Sequence, residues 1–593
     1  MEALQYSTEH HGHSSNPFDK SLQDILHEDI ADQPVRQIKR VRINQDPEVA
    51  GERSDQSMPL ESQQSPQQPR QEPQFESEQD AQYPQPRQNK SLRPQHTRPL
   101  QPCRRPSLTS PAPTPVVTRN LIGNELTISK SRTWINVLDP TTQKFLARVP
   151  ESTLAEIQAA VKAAETAQPS WNLLGISQRR SKMLALVDAI RSHKPAFQRA
   201  LQIEIGKTWQ DADAEIDRAL DAVETACSSP MEIFGKHWNN NKTEIFTLHQ
   251  PMGVCVSITP FNFPLMIPLW SIPIALICGN SVVLKPSEKA PSVSALLGDC
   301  FMSLNLPPGV FNIVHGASGA VNKLLAQPSV SAVSFVGSEI VGERVFDHAK
   351  ATRKRVQVES AGKNHGVLLQ DAVKSKSLYA IAGSAFGSAG QRCMALSVLV
   401  CVGPTADWID ELVTIARSLK VGCGLDSHAD VGPLITAAAK ERVEAMIDTA
   451  EAEGATIMLD GRNVSVPGYP LGNFVGPTII TKVKPYMQCY QDEIFGPVLV
   501  CLEVDTLEEA IEIVNENRFG NGCTLFTTSP IHAQAFQLKV NVGQVGINVP
   551  VLAPSGPVAR TSNKDSYLGA ISGCNQWQFF TTVKTVTTLW PSD

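Results

Sequence analysis

A chain of 593 residues is long enough for roughly two or three domains with apolar cores of their own. With 41% hydrophobic and 19% charged residues it has an ordinary soluble composition, and a formal net charge of −6 offers no basic footprint for nucleic acid. The 12 cysteines are scattered singly, with no C-x-x-C pair and no cysteine–histidine spacing suited to zinc, so no metal site or disulfide framework is expected. Most read as small core residues in a reducing compartment.

Residues 1–116 are rich in Gln, Pro, Ser, Arg and Glu. Stretches such as Gln63-Gln64-Ser65-Pro66-Gln67-Gln68-Pro69 bury too little apolar surface to offset the entropy of ordering, so a disordered extension is expected. Glu2, Glu9 and Asp19, with no apolar run among them, argue against a signal peptide and against an Arg-rich mitochondrial presequence. The basic run Val35–Arg42 reads as a solvated charge cluster.

Order is expected from Val117. Thr153-Leu154-Ala155-Glu156 is a capping box, followed by Leu154, Ile157, Val161 and Ala164 at helical spacing. Further helices are predicted over Gln178–His193 and Phe197–Glu224. From Gly253 short apolar strands alternate with helices: Gly253–Thr259, Ser281–Leu284, Val310–Val314, Ala332–Phe335 and Val356–Glu359, with helices at Ala290–Leu304 and Gly319–Gln327. Such alternation predicts right-handed crossovers and a mainly parallel sheet, an α/β fold of nucleotide-binding type, although no G-x-G-x-x-G is present. The uncharged stretch from Gln250 to Leu284 is interrupted by Pro260, Pro264, Pro268 and Pro273. It therefore reads as strand, turn and helix rather than a membrane span. A second alternating region runs from Gly366 to Pro550, where Thr506 caps a helix, and Gln576–Leu589 reads as a terminal strand.

Three strings fall where ligands bind in open α/β sheets, at strand ends, and a fourth carries a candidate nucleophile. In Thr259-Pro260-Phe261-Asn262-Phe263-Pro264, the Asn262 amide either donates to an oxyanion or caps the next helix. In Lys285-Pro286-Ser287-Glu288, the lysine and glutamate either grip ribose hydroxyls or form a surface salt bridge. Ser338, after Phe335-Val336-Gly337, can offer a hydroxyl and a helix N-terminus to a phosphate. Gly390-Gln391-Arg392-Cys393-Met394-Ala395 follows the small-residue stretch Ala382–Ala389, which would let a substrate approach a cysteine nucleophile.

These strings, in this order, resemble the aldehyde dehydrogenase superfamily over Val117 to Leu589. Gly362–Gly366, Asn473–Thr478, Glu493–Val498 and Gly543–Pro550 extend the likeness. The coenzyme-A-acylating branch that oxidises methylmalonate semialdehyde is the most similar. The resemblance implies a Rossmann-type cofactor domain over 117–359, with an oligomerisation hairpin inserted at 236–249. It further implies an α/β catalytic domain over 360–550 and a tail over 551–593 that returns to the hairpin, in a homodimer or homotetramer. Cys393 would be the nucleophile, forming a thiohemiacetal and then a thioester, with Asn262 on the oxyanion. NAD would be contacted by Thr259, Phe261, Lys285, Glu288, Lys289, Ser338, Glu493 and Phe495. Arg218 and Arg392 would hold a substrate carboxylate, and coenzyme A would take up the acyl group. The branch is commonly mitochondrial, whereas this N-terminus does not look like a presequence, leaving the cytoplasm open.

Two departures bear on the outcome. Glu359 heads Glu359-Ser360-Ala361-Gly362-Lys363, where hydrolytic relatives carry a general base and the acylating branch usually does not. The stretch Ala553–Gly573 lacks the aromatic residues expected to wall the aldehyde. A hydrolytic dehydrogenase using Glu359, and a non-catalytic binding or regulatory paralogue, are the alternative readings.

Overall fold

The structure, a computed structural model, describes residues 116–228, 233, 235–240, 243–550, 561–569 and 576–590. The expected disorder of the extension, and most of the altered stretch at 553–573, lie outside these residues. Within them the chain folds around two large, mainly parallel sheets, joined by three small sheets of two or three strands, one of them an antiparallel sheet of hairpin and tail.

The first large sheet has eight strands. Its five parallel central strands run in the order Phe311–Ile313, Ser281–Lys285, Val254–Ile258, Val330–Val336, Arg355–Glu359. Antiparallel pairs close both edges, with Tyr567–Gly569 beside Arg355–Glu359 at one and Arg119–Ile122 and Glu125–Ile128 at the other. All five expected strands are present within one or two residues of their predicted ends. The capping box forms as read: Thr153 Oγ1 accepts from the Glu156 N–H, and Glu156 Oε2 accepts from the Thr153 N–H. The uncharged stretch becomes the strand Val254–Ile258, the fully buried helix Met266–Ile277 and the strand Ser281–Lys285. Among the described residues no helix is long and apolar enough to cross a membrane.

One predicted helix is broken. Over Phe197–Glu224 the chain forms the helix Lys194–Ala200, a π turn over Leu201–Ile205, and then the helix Trp209–Ser228. Gly206 makes the break with φ +77°, and a Cβ there would stand 2.4 Å from the Pro433 ring. Helical spacing of apolar residues on both sides conceals this tertiary constraint.

The second large sheet has seven strands in the order Thr456–Leu459, Thr478–Thr481, Val498–Val504, Leu396–Val402, Asn364–Leu368, Gly522–Phe526, Gln544–Ile547. Thr506 Oγ1 accepts from the Glu509 N–H to start the helix Leu507–Glu516. In the small sheet the tail strand Thr581–Leu589 pairs along its whole length with Thr243–Pro251, the second strand of a hairpin opened by His237–Asn240. The tail strand is preceded by a helical turn at Gln576–Phe579.

Candidate active site

In the first sheet the strand Val254–Ile258 comes earliest of the central five; the next two lie to one side of it and the last two to the other. The crevice beyond the carboxyl ends of Val254–Ile258 and Val330–Val336 is therefore a topological switch point, where open α/β sheets bind ligands. Thr259 enters this crevice buried, with its Oγ1 lacking a hydrogen-bond partner. Ser338, at the end of the neighbouring strand, is exposed and is the N-cap of the helix Glu339–Ala351, yet its hydroxyl makes no capping bond. Both hydroxyls are thus left to a ligand, beside the positive end of a helix. Lys285 is buried at the end of the next strand and donates from Nζ to the Gly316 carbonyl at 3.1 Å. Glu288 and Lys289 follow, partly exposed and 3.9 Å apart.

The second sheet supplies the opposite wall. Phe495 meets Phe261 edge to face, with ring centroids 6.1 Å apart, so two aromatics expected to contact the cofactor are brought together. Glu493 Oε1 accepts from the Gly362 N–H at 3.1 Å, and burial pushes its carboxyl up to about 7. Lys363, fully buried, donates to the Cys489 and Asp492 carbonyls at 2.6 Å each and so fastens the loop that carries Glu493 and Phe495.

Cys393 lies between these walls, on the turn leading into the strand Leu396–Val402. Of the ten cysteines among the described residues, it alone keeps part of its surface exposed, while its sulfur is largely withdrawn from solvent. Ser388, Ala389 and Gly390 all have φ between 52° and 68°, a run of left-handed residues that bends the chain sharply before the thiol. A Cβ on Gly390 would stand 2.0 Å from the Gly496 carbonyl oxygen, so the turn packs directly on the Phe495 loop. The Cys393 carbonyl accepts from Asn364 Nδ2 at 2.8 Å and from Asn521 Nδ2 at 3.1 Å. Burial, with Glu359 and Glu493 close by, pushes the thiol up to about 12. Glu359 therefore stands within electrostatic reach of the sulfur, and it lines a small cavity with Thr259, Trp270, Ser271, Ser334 and Gln357. Asn262 is buried and donates from Nδ2 to the Gln391 carbonyl at 3.1 Å, which fixes its amide against the turn that carries Cys393.

The two arginines come together on the same side. Arg392 is ion-paired with Asp211 at 2.5 Å. Burial works against charge on Asp211, yet Arg392, Lys207 and the Thr208 hydroxyl hold its carboxyl below the usual range. Arg218 is half-buried, and burial together with the nearby Arg392 lowers it. The two guanidinium groups therefore feel one another, although only Arg392 has a carboxylate in contact.

Several residues of the site carry no assignment from the sequence. Lys363 and Asn364 lie inside the recognised string Gly362–Gly366, but their targets are backbone carbonyls, which leave no mark in a sequence. Asp211, Glu215 and Arg218 are spaced four and three apart, the signature of one helix face. That spacing could have singled out Asp211 and Glu215 once Arg218 was chosen. Among the described residues no cluster of histidine, cysteine or carboxylate side chains is arranged to hold a metal ion.

The sequence profile described as the aldehyde dehydrogenase family matches residues 127–586. The methylmalonate-semialdehyde dehydrogenase [acylating] of Arabidopsis thaliana is 44% identical over 475 residues, 79% of this chain and 78% of that protein. The human methylmalonate-semialdehyde/malonate-semialdehyde dehydrogenase [acylating] is 43% identical over 491 residues, 82% and 91% of the two chains. Among solved structures, the methylmalonate-semialdehyde dehydrogenase of Oceanimonas doudoroffii superposes with a TM-score of 0.79 at 37% identity, covering 81% of this chain and 99% of that one. A Sinorhizobium meliloti 1021 structure described under the same enzyme name and complexed with NAD gives 0.80 at 34% identity, with the same coverage. On its sequence, its α/β architecture and the hold of Asn262 on the turn that carries Cys393, the chain belongs to the aldehyde dehydrogenase family.

Proposed function

We propose that the chain oxidises methylmalonate or malonate semialdehyde with NAD and passes the acyl group to coenzyme A. The observation that carries this reading is the pairing of guanidinium groups beside the nucleophile. Arg392 directly precedes Cys393, and Arg218, within reach of it, makes no hydrogen bond or ion pair with the described residues. Planar donor forks of this kind suit a carboxylate, which marks the aldehyde as one bearing an acid group. Relatives named for such semialdehydes support the same choice.

The residues present fit NAD. The unpartnered Thr259 hydroxyl, the uncapped Ser338 and the facing Phe261 and Phe495 rings are the features that a dinucleotide lying across the crevice would use. Lys285, Glu288 and Lys289 follow the adjoining strand, on the side assigned to the adenosine, and Glu493 takes the second ribose. NAD, when bound, supplies the acceptor for the hydride that leaves the aldehyde carbon. Cys393 gives up its thiol proton to solvent and bonds through Sγ to that carbon, and the oxyanion so formed is stabilised by Asn262 Nδ2 and the Cys393 backbone N–H. Loss of hydride leaves a thioester on Cys393. Arg218 and Arg392 hold the carboxylate until it departs as CO2 or bicarbonate, and the carbon it leaves takes a proton from solvent in its place. The thiol of coenzyme A then displaces the cysteine sulfur to release propionyl-CoA or acetyl-CoA.

Glu359 favours a second outcome, because a carboxylate this near the sulfur could activate water and release a free acid. Malonate semialdehyde turned over with NAD, with and without coenzyme A, separates the two. Acyl-CoA formed only when coenzyme A is present is the expected result, and free acid at full rate without it overturns the acylating reading. A burst of NADH equal to the protein present, lost in Cys393→Ala, disposes of a non-catalytic role. The small sheet formed by hairpin and tail leaves Trp238, Val583 and Leu589 exposed, which supports assembly of dimers or tetramers through it. The Arabidopsis and human relatives are named mitochondrial, and the same compartment is proposed for this chain.

A further inference from the structure

The helix Trp209–Ser228 does more than present Arg218. From its first turns it reaches both halves of the reactive centre. Asp211 Oδ1 pairs with Arg392, and its Oδ2 accepts from the Ser388 N–H at 3.0 Å, so this carboxylate grips the nucleophile turn. One turn further on, Glu215 is 1% exposed and grips the other half. Its Oε1 accepts from the Leu265 N–H at 3.0 Å and the Met266 N–H at 3.2 Å. These are the first amides of the helix Met266–Ile277, which has no side-chain cap of its own. A carboxylate borrowed from a neighbouring helix thus satisfies donors that would otherwise be buried without partners.

The other Glu215 oxygen is bonded to Lys207 Nζ at 2.6 Å, and both side chains are withdrawn from solvent. The Lys207 ammonium also lies 3.9 Å above the centre of the Phe263 ring. Asn262 is therefore enclosed by fixed points. Phe261 is held by Phe495, Phe263 by Lys207, and Leu265 and Met266 by Glu215. Burying an ion pair gains little stability over apolar side chains of the same size, so stability alone gives a weak reason for this one. Its contacts converge on one loop, and that loop carries the oxyanion donor.

We propose that the Lys207–Glu215 pair is a positioning device for Asn262, fixing the oxyanion-hole amide through the Phe263 ring and the amides of Leu265 and Met266. Neither residue touches the substrate; both act through the loop. The inference rests on the dehydrogenase reading, and it concerns the rate of the chemical step rather than the choice of aldehyde. A glutamine at 215 has only one oxygen, so it cannot accept from Lys207 and from both amides together.

The test is a double-mutant cycle on the full chain, with NADH formation followed under saturating NAD and coenzyme A. Glu215→Gln is expected to lower kcat about 10-fold to 100-fold, the scale on which a small misplacement of a catalytic group acts. The KM for NAD should stay within about twofold. In an Asn262→Ala background the same change should cost less than about threefold, because the group being positioned is gone. A purely structural role would lower kcat by the same factor in both backgrounds, and that result overturns the proposal. Unchanged kcat in a folded Glu215→Gln protein also overturns it. Should that variant fail to fold, Lys207→Met combined with Glu215→Leu removes the pair without stranding a charge. The same loss of kcat is expected there, and retention of the wild-type rate refutes the idea. Wild-type turnover of some other aldehyde, with none of malonate semialdehyde, would remove the substrate reading alone, and the cycle would run on the aldehyde that reacts.

Discussion

The free thiol of Cys393 should react slowly, and by an amount that can be worked out. Burial and the carboxylates of Glu359 and Glu493 push it up to about 12, from an ordinary value near 9. A thiol at about 12 carries about a thousandfold less thiolate near neutral pH than one near 9. The remaining thiolate is intrinsically more nucleophilic, gaining back about 20-fold to 30-fold at a Brønsted slope of 0.4–0.5. Without cofactor or substrate, alkylation of Cys393 by iodoacetamide should therefore run roughly 30-fold to 50-fold slower than that of an exposed cysteine. The rate should climb about tenfold per pH unit from 7 to 10 with no plateau. Glu359→Gln removes a negative charge near the sulfur, lowers the thiol's affinity for its proton, and should speed alkylation about threefold. The gain is partial because burial, the larger cause, remains. Mass spectrometry of the alkylated peptide isolates this thiol from the other described cysteines, which are buried. A rate that levels off below pH 9, or one slowed by Glu359→Gln, would refute the electrostatic account.

Three further outcomes are expected. Asn262→Ala should lower kcat by about 100-fold to 1,000-fold, the usual effect of losing one oxyanion donor, with NAD binding unchanged by fluorescence titration. Arg218→Leu should raise the KM for malonate semialdehyde roughly 10-fold to 100-fold, as befits a lost hydrogen bond to a charged group, while leaving that for butanal unaltered. Gly390→Ala combines a φ of +68° with a 2.0 Å approach to the Gly496 oxygen. It should destabilise the protein by more than about 2 kcal/mol, read as an earlier thermal transition.

Much of this architecture could be read ahead of the structure because local chemistry specified it. The Thr153–Glu156 capping box, the apolar strand from 254 to 258 and the strings at the strand ends each carry their signal within a few residues. What escaped reading depends on distant partners. Gly206 breaks a helix whose apolar spacing continues on both sides, since the Pro433 ring that packs on it lies over two hundred positions away. Asn364 and Asn521 hold Cys393 by its own carbonyl, an atom every residue possesses. Glu215 and Lys207 read as polar residues near a helix start, and only the tertiary structure shows both withdrawn from water.

The approach of Gly390 to Gly496 ties the heading of the Cys393 sulfur to the loop that carries Glu493 and Phe495, backbone against backbone. With no side chain between them to absorb a shift, a rearrangement of that loop would drag Cys393 with it. Under the proposed function, divergence within this scaffold is therefore channelled toward the aldehyde's far end, where residues such as Arg218 can be exchanged one at a time while the spacing between electron donor and acceptor is inherited intact.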